Sequence, residues 1–132
     1  MKHQWLALIG WMLTATMTSA ADGPQAEEPR FVRIGHFQCV CQQGDFAANV
    51  ETLLRGLRQA EQQQVDILSF PESLLTGYFA KEDEARQHSL TMDSAEMQSV
   101  LQRTAQFETL FMVGFNEQRD GRLYNTVAVI EK

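Results

Sequence analysis

Between Phe31 and Ile130 short apolar runs alternate with amphipathic stretches, and the two periods predict the elements. Phe31 to Cys41 (FVRIGHFQCVC) is rich in β-branched and aromatic residues and ends at the turn signal Gln42-Gln43-Gly44, which predicts a strand. It is apolar on both faces, as suits an interior strand of a covered sheet. Asp45 stands where a helix needs a cap, and Val50, Leu53, Leu54, Leu57 and Ala60 then form one apolar stripe that closes at Gln62-Gln63-Gln64. Val65 to Phe70 predicts a second strand, stopped by Pro71, which has no N–H to give a ladder. The order strand, helix, strand implies a parallel pair with a right-handed crossover.

Glu72 to Met92 has no clear period and is expected to be an irregular loop with room for one helical turn. Asp93-Ser94-Ala95-Glu96 has the form of a capping box with Asp93 at the cap, and Met97, Val100, Leu101 and Ala105 give the stripe of a second helix ending near Glu108. Leu110 to Phe115 predicts a third strand, and Asp120-Gly121 is a hairpin signal before a fourth, antiparallel strand from Leu123 to Ile130. The sum is an α/β layout of order β-α-β-α-β-β, without internal repeats.

Ahead of this lies a different kind of sequence. Met1 to Gln4 is a weakly basic start, Trp5 to Met17 is apolar, and Thr18-Ser19-Ala20-Ala21 is a run of small residues, the pattern of a secretory signal peptide over residues 1–21. The apolar run is shorter than the roughly 20 residues a spanning helix needs, so cleavage after Ala20 or Ala21 and export, periplasmic or secreted, are expected, with no membrane anchor remaining. Residues 22–30, with Pro24, Pro29 and Glu27-Glu28, read as a linker, and residues 31–132 as one domain. A content of 44% hydrophobic and 21% charged residues is that of a globular chain. Removing the leader takes away Lys2 but no acidic residue, so the mature charge is one unit more negative than the −6 of the whole chain. Nucleic acid and anionic lipid are therefore excluded as partners by charge.

The stretch Phe70-Pro71-Glu72-Ser73-Leu74-Leu75-Thr76-Gly77-Tyr78 carries the candidate chemistry. A carboxylate directly after a parallel strand sits at the carboxyl end of the sheet, where α/β folds open their ligand crevices. Phe70, Leu74 and Tyr78 are expected to desolvate Glu72, raise its pKa and suit it to general-base work; the other reading is a solvated glutamate at a strand end. The wider pattern weighs on that choice. Phe31 to Gln38, Gly44-Asp45 and Asn49, the strand into Phe70-Pro71-Glu72, Leu75 to Tyr78, Val113-Gly114-Phe115 with Glu117, and Gly121 with Leu123-Tyr124-Asn125-Thr126 resemble the N-terminal part of the nitrilase superfamily of carbon–nitrogen hydrolases.

That resemblance, spanning Val32 to Ile130, implies part of a four-layer αββα sandwich and hydrolysis of non-peptide carbon–nitrogen bonds, in amides or nitriles, by a Glu-Lys-Cys triad. It implies that Glu72 is the proton acceptor and Glu117 a supporting glutamate, with no cofactor and no metal. It puts the lysine past the turn that follows Val129-Ile130 and the cysteine further on, so the chain by itself is expected to be inactive; family members also dimerise. Lys132 falls too early for the triad lysine and reads as a solvated residue. The rival reading is a non-catalytic truncated α/β domain that binds a small molecule or a partner subunit.

Cys39 and Cys41 belong to the first predicted strand and point to one face, with Cα atoms roughly 6.6–6.8 Å apart, at the limit of disulfide geometry. They read as buried free thiols, and His36 faces the other way and cannot join them around a metal. His88 reads as an isolated histidine in a polar loop, and Glu82-Asp83-Glu84 as solvated surface near the pocket entrance of the family.

Overall fold

The computed structural model describes residues 31–132, so the leader and linker read from residues 1–30 lie outside the described residues. Seven elements follow one another: β1 (Ile34–His36), α1 (Phe46–Gln62), β2 (Ile67–Ser69), α2 (Glu82–Gln87), α3 (Ala95–Thr104), β3 (Leu110–Arg119) and β4 (Arg122–Ile130). The strands lie in the sheet in chain order, β1-β2-β3-β4. The first three are parallel and β4 runs antiparallel to β3, the α/β layout that periodicity predicts.

Helix α1 starts where the sequence puts it. The Asp45 carboxylate accepts from the Ala48 N–H at 3.0 Å, satisfying one of the donors that a helix start leaves unpaired. Val50, Leu53, Leu54, Leu57 and Ala60 are buried against Phe111, Val113 and Phe115 of β3, with Met97 and Val100 of α3 completing the core. Burial of each large side chain is worth about 1.5–3 kcal/mol, so this stripe carries much of the fold. The helix ends at Gln62, and the chain reverses through Gln64 at φ 56° as the Val65 N–H donates to the Ala60 carbonyl at 2.9 Å.

All the helix-facing residues of β3 are odd-numbered, so by alternation its even residues and their neighbours form the other face. The register puts Ile34, Ile67, Met112, Val127 and Val129 there. Ile34, Val127 and Val129 are 70, 58 and 63% exposed, so this apolar face is open among the described residues. The described chain is one helical layer on one sheet, the corresponding portion of the expected sandwich.

Four expectations are corrected. The first strand is three residues long and not eleven, because its ladder extends only along the three residues of β2, and it is the edge of the described sheet, not its interior, since among the described residues it pairs with β2 alone. Phe37, Cys39 and Cys41 still pack against the core with alternating parity, as an extended segment outside the ladder. The cap of α3 is Ser94, whose Oγ accepts from the Met97 N–H at 3.3 Å, while the Asp93 carboxylate takes the Thr91 hydroxyl at 2.6 Å. The α3 helix closes at Thr104, and its buried stripe is Met97, Val100 and Thr104, with Leu101 and Ala105 exposed. Finally, β3 runs on to Arg119, since β4 pairs with it along its whole length down to a two-residue turn with Asp120 at φ 53° and Gly121 at φ 73°. Positive φ at both turn residues twists the hairpin in the sense its strands require.

Candidate functional site

Three features of the sheet bring Glu72 to the carboxyl end of β2. Pro71 stops the strand, Ser73 turns the chain at φ 53°, and the segment then runs alongside β3, its Leu75 N–H donating to the Gly114 carbonyl at 3.1 Å. Gly114 permits this approach, because a Cβ there would stand 2.6 Å from the Ser73 nitrogen. Asn49, fully buried in α1, exchanges hydrogen bonds of 2.7 Å with the backbone of Gln42 and reaches the Leu75 carbonyl at 3.4 Å. Asn116 donates from its side chain and its backbone to the Thr76 hydroxyl, at 3.0 Å each, and from its side chain to the Gly77 carbonyl at 3.1 Å. Gly77, at φ 97°, lies against Gln43, where a Cβ would meet backbone at 2.7 Å. The Glu72–Gly77 segment is therefore held from β3, α1 and the turn before α1 at once.

Glu72 itself is exposed. The desolvation expected from Phe70, Leu74 and Tyr78 is not formed: Phe70 and Leu74 turn into the core and Tyr78 is open to solvent. Adjacency in sequence does not give adjacency in space here, because the turn at Ser73 sends Leu74 and Glu72 in opposite directions. What the carboxylate has instead is a hydrogen bond of 2.5 Å from the Asn125 side-chain amide of β4. Glu72 and Asn125 line a cleft of about 340 Å³ with Ser73, Tyr78, Lys81 and Asn116. That volume lies at the low end of the range for small-molecule sites.

The start of α2 forms one wall of this cleft. Glu82-Asp83-Glu84 make up its first turn, where acidic residues favour the helix dipole, and they are paired in part, Lys81 with Glu84 at 3.0 Å and Arg86 with Glu82 at 2.6 Å. The charge run is thus a helix start beside the cleft as well as solvated surface.

Glu117 lies within β3, 3% exposed, and accepts from the Thr126 hydroxyl at 2.7 Å, with the Arg119 guanidinium 3.7 Å away. Its odd number puts it on the helix-facing side with Phe115 and Val113, whereas Asn125 pairs with Asn116 on the opposite side. Glu117 is thus not among the residues that line the Glu72 cleft.

The remaining candidates fall as follows. Cys39 and Cys41 are free and half-buried, and burial pushes the Cys39 thiol above its usual range, against the opposing pull of Arg55. His36 faces away from them and bonds the Ser69 hydroxyl at 2.8 Å and Gln38 at 3.0 Å. No group of three or more metal-ligating side chains occurs among the described residues. His88 is not isolated: its ring stacks on Phe79 at 5.1 Å and fills the space over Gly44, where a Cβ would clash at 2.6 Å. Lys132 is half-exposed and pairs with Glu108. Seven positions along from Asn125, its Cα is roughly 23 Å from that of Asn125 at the spacing of an extended chain. Asn125, Asn116 and Lys81 are lining residues that sequence reasoning assigned no role; the recurrence of Asn after Tyr124 and before Glu117, two positions that a hairpin centred on Asp120-Gly121 sets opposite one another, is the signal that points to them.

A family model for carbon-nitrogen hydrolase matches residues 33–132. A glutamine-dependent NAD(+) synthetase of Thermotoga maritima is 32% identical over 88 residues, 67% of this chain and 15% of that protein, so the chain spans a small part of the curated relative it matches. Among solved structures, the glutamine-dependent NAD+ synthetase of Acinetobacter baumannii is similar at TM-score 0.57 and 25% identity, over 71% of this chain and 18% of that one. XC1258 of Xanthomonas campestris, a CN-hydrolase superfamily protein with an arsenic adduct in its active site, is similar in fold at TM-score 0.64 and 18% identity, over 76% of this chain and 36% of that one. With the family model matched across nearly all the described residues, the chain belongs to the carbon–nitrogen hydrolase family of the nitrilase superfamily, of which it carries the N-terminal part.

Proposed function

We propose that the chain contributes the general base of an amidase-type carbon–nitrogen hydrolase, and that this base is Glu72. The observation that carries the reading is the position of its carboxylate: at the carboxyl end of a parallel strand, on a backbone segment tied down from three sides, facing a cleft of substrate size. The relatives named as glutamine-dependent support a primary carboxamide as substrate over a nitrile.

In this reading a cysteine thiolate attacks the amide carbon after its proton passes to Glu72. A lysine holds the oxyanion, and collapse expels ammonia with the proton that Glu72 returns. Water, deprotonated by Glu72, then cleaves the thioester and releases the acid. Neither thiol among the described residues suits the nucleophile, since Cys39 is held protonated and both cysteines pack against the core. Lys132 is too distant, and the Lys81 ammonium is paired with Glu84. No lysine or cysteine among the described residues thus suits either role, and the 132-residue chain alone is expected to be inactive. Glu117 supports the site indirectly, by joining β3 to β4 through Thr126.

Ammonia release from glutamine and from small amides tests this, measured on the chain alone and on the chain coexpressed with the complementary C-terminal segment of a family enzyme. We expect release only from the combination, falling by about 10²-fold or more with Glu72→Gln. Turnover by the chain alone that survives Glu72→Gln would overturn the assignment.

The open apolar face supports a second role, as a surface for a partner subunit, including a second copy of this chain.

A further inference from the structure

We infer that Asn125 is a positioning residue for Glu72, and that the proton Glu72 exchanges is carried on Oε2. The inference rests on the general-base role proposed above. Asn125 and Asn116 are directly paired across β4 and β3, with their side chains on the same face of the hairpin. Each grips one end of the Glu72–Gly77 segment. Asn116 holds Thr76 and Gly77, and Asn125 holds the Glu72 carboxylate through Oε1.

The two grips have different consequences. With the Leu75 N–H on the Gly114 carbonyl and the Gly77 N–H on the Ser73 carbonyl, the bonds of Asn116 fix the backbone and hence the Glu72 Cα. The Glu72 side chain, exposed and rotating about three bonds, is not fixed by any of them. Its single hydrogen bond among the described residues is the one from Asn125, which selects one rotamer out of many. An amide suits this task because its N–H orients a carboxylate without adding charge and cannot take up the proton. The oxygen it occupies is an acceptor already in use, so proton exchange falls to Oε2.

The test is NMR on the isotope-labelled 132-residue chain at neutral pH. We expect a scalar correlation across the hydrogen bond from Asn125 Nδ2 to the Glu72 carboxyl carbon, and three-bond couplings showing a single Glu72 rotamer. In Asn125→Ala the correlation vanishes and the couplings average, while the amide shifts of Thr76 and Gly77 hold because Asn116 is intact. If Asn125→Ala does not fold, Asn125→Asp keeps the shape, replaces the donor by an acceptor, and releases Glu72 in the same way. A Glu72 side chain that is averaged in the unaltered chain, or that stays in one rotamer in either variant, overturns the inference. No turnover is read, so that result leaves the proposed hydrolysis standing, and an intact bond without Glu72-dependent ammonia release overturns the hydrolysis alone.

Discussion

Gly114 has no side chain, and the backbone of Glu72 and Ser73 occupies the space where one would be. A methyl there meets the Ser73 nitrogen at 2.6 Å and the Glu72 backbone at 3.3–3.4 Å, and because the obstruction is main chain the segment must move as a whole. Gly114→Ala is therefore expected to cost about 1–3 kcal/mol, the range for overpacking, and to break the bond between Asn125 and Glu72. Gly121→Ala is the control: nothing lies within 4 Å, and only the strain of φ 73° applies, about 1–2 kcal/mol. Urea unfolding of both, read with the Asn125 side-chain amide resonance, separates them, since loss of stability in both with the amide unmoved in both contradicts the role given to Gly114. Glu72 as a candidate was legible from Phe70-Pro71-Glu72; its environment was not. Its chain neighbours alone predict a desolvated carboxylate, whereas its partner is Asn125, 53 positions away, brought in by strand pairing.

At the scale of elements, α1 and α3 lie side by side on the sheet and are clipped at the surface by Arg103 and Glu51, 2.5 Å apart. The hydrogen bond from Arg103, then its charge, holds the Glu51 carboxyl below its ordinary 4.5. A carboxylate whose folded value is depressed adds stability above its unfolded value and loses it as pH falls through the folded value. Stability is thus expected to fall on acidification below about pH 4.5, and to fall less in Glu51→Gln. Thermal melts between pH 6 and pH 3 check this, and equal slopes for the two proteins would contradict it. The helices themselves were legible, because a 3.6-residue stripe of Leu and Val has one physical meaning. The cap of α3 lies one residue later than the pattern predicts, at Ser94. Asp93 and Ser94 are both good caps, and the choice falls to a local side-chain contact two residues back, the Thr91 hydroxyl, which engages Asp93 and leaves Ser94 for Met97.

At the scale of the whole molecule, the sheet is covered on one face and open on the other among the described residues, with Val127 and Val129 on the last of its strands. Contiguous apolar surface of this kind drives association. We expect the 132-residue chain to self-associate with rising concentration in sedimentation equilibrium, and Val127→Lys with Val129→Lys to weaken that by at least about tenfold in Kd, or 1.4 kcal/mol, with unchanged melting temperature. Both side chains are already exposed, so an equal loss of stability and association would show that they pack within the monomer.

The sequence by itself determined the order of elements, the parallel and antiparallel pairings, the helix-facing core and the carboxylate after β2, because each follows from local periodicity, turn chemistry and a motif of adjacent residues. Tertiary structure alone decided that β1 is short and lies at the edge of the described sheet, that Glu117 is buried within β3, and that Asn125 meets Glu72. Those are facts of register and ladder length, and a register is set by the whole set of side chains that fill the core together, not by any one stretch of chain.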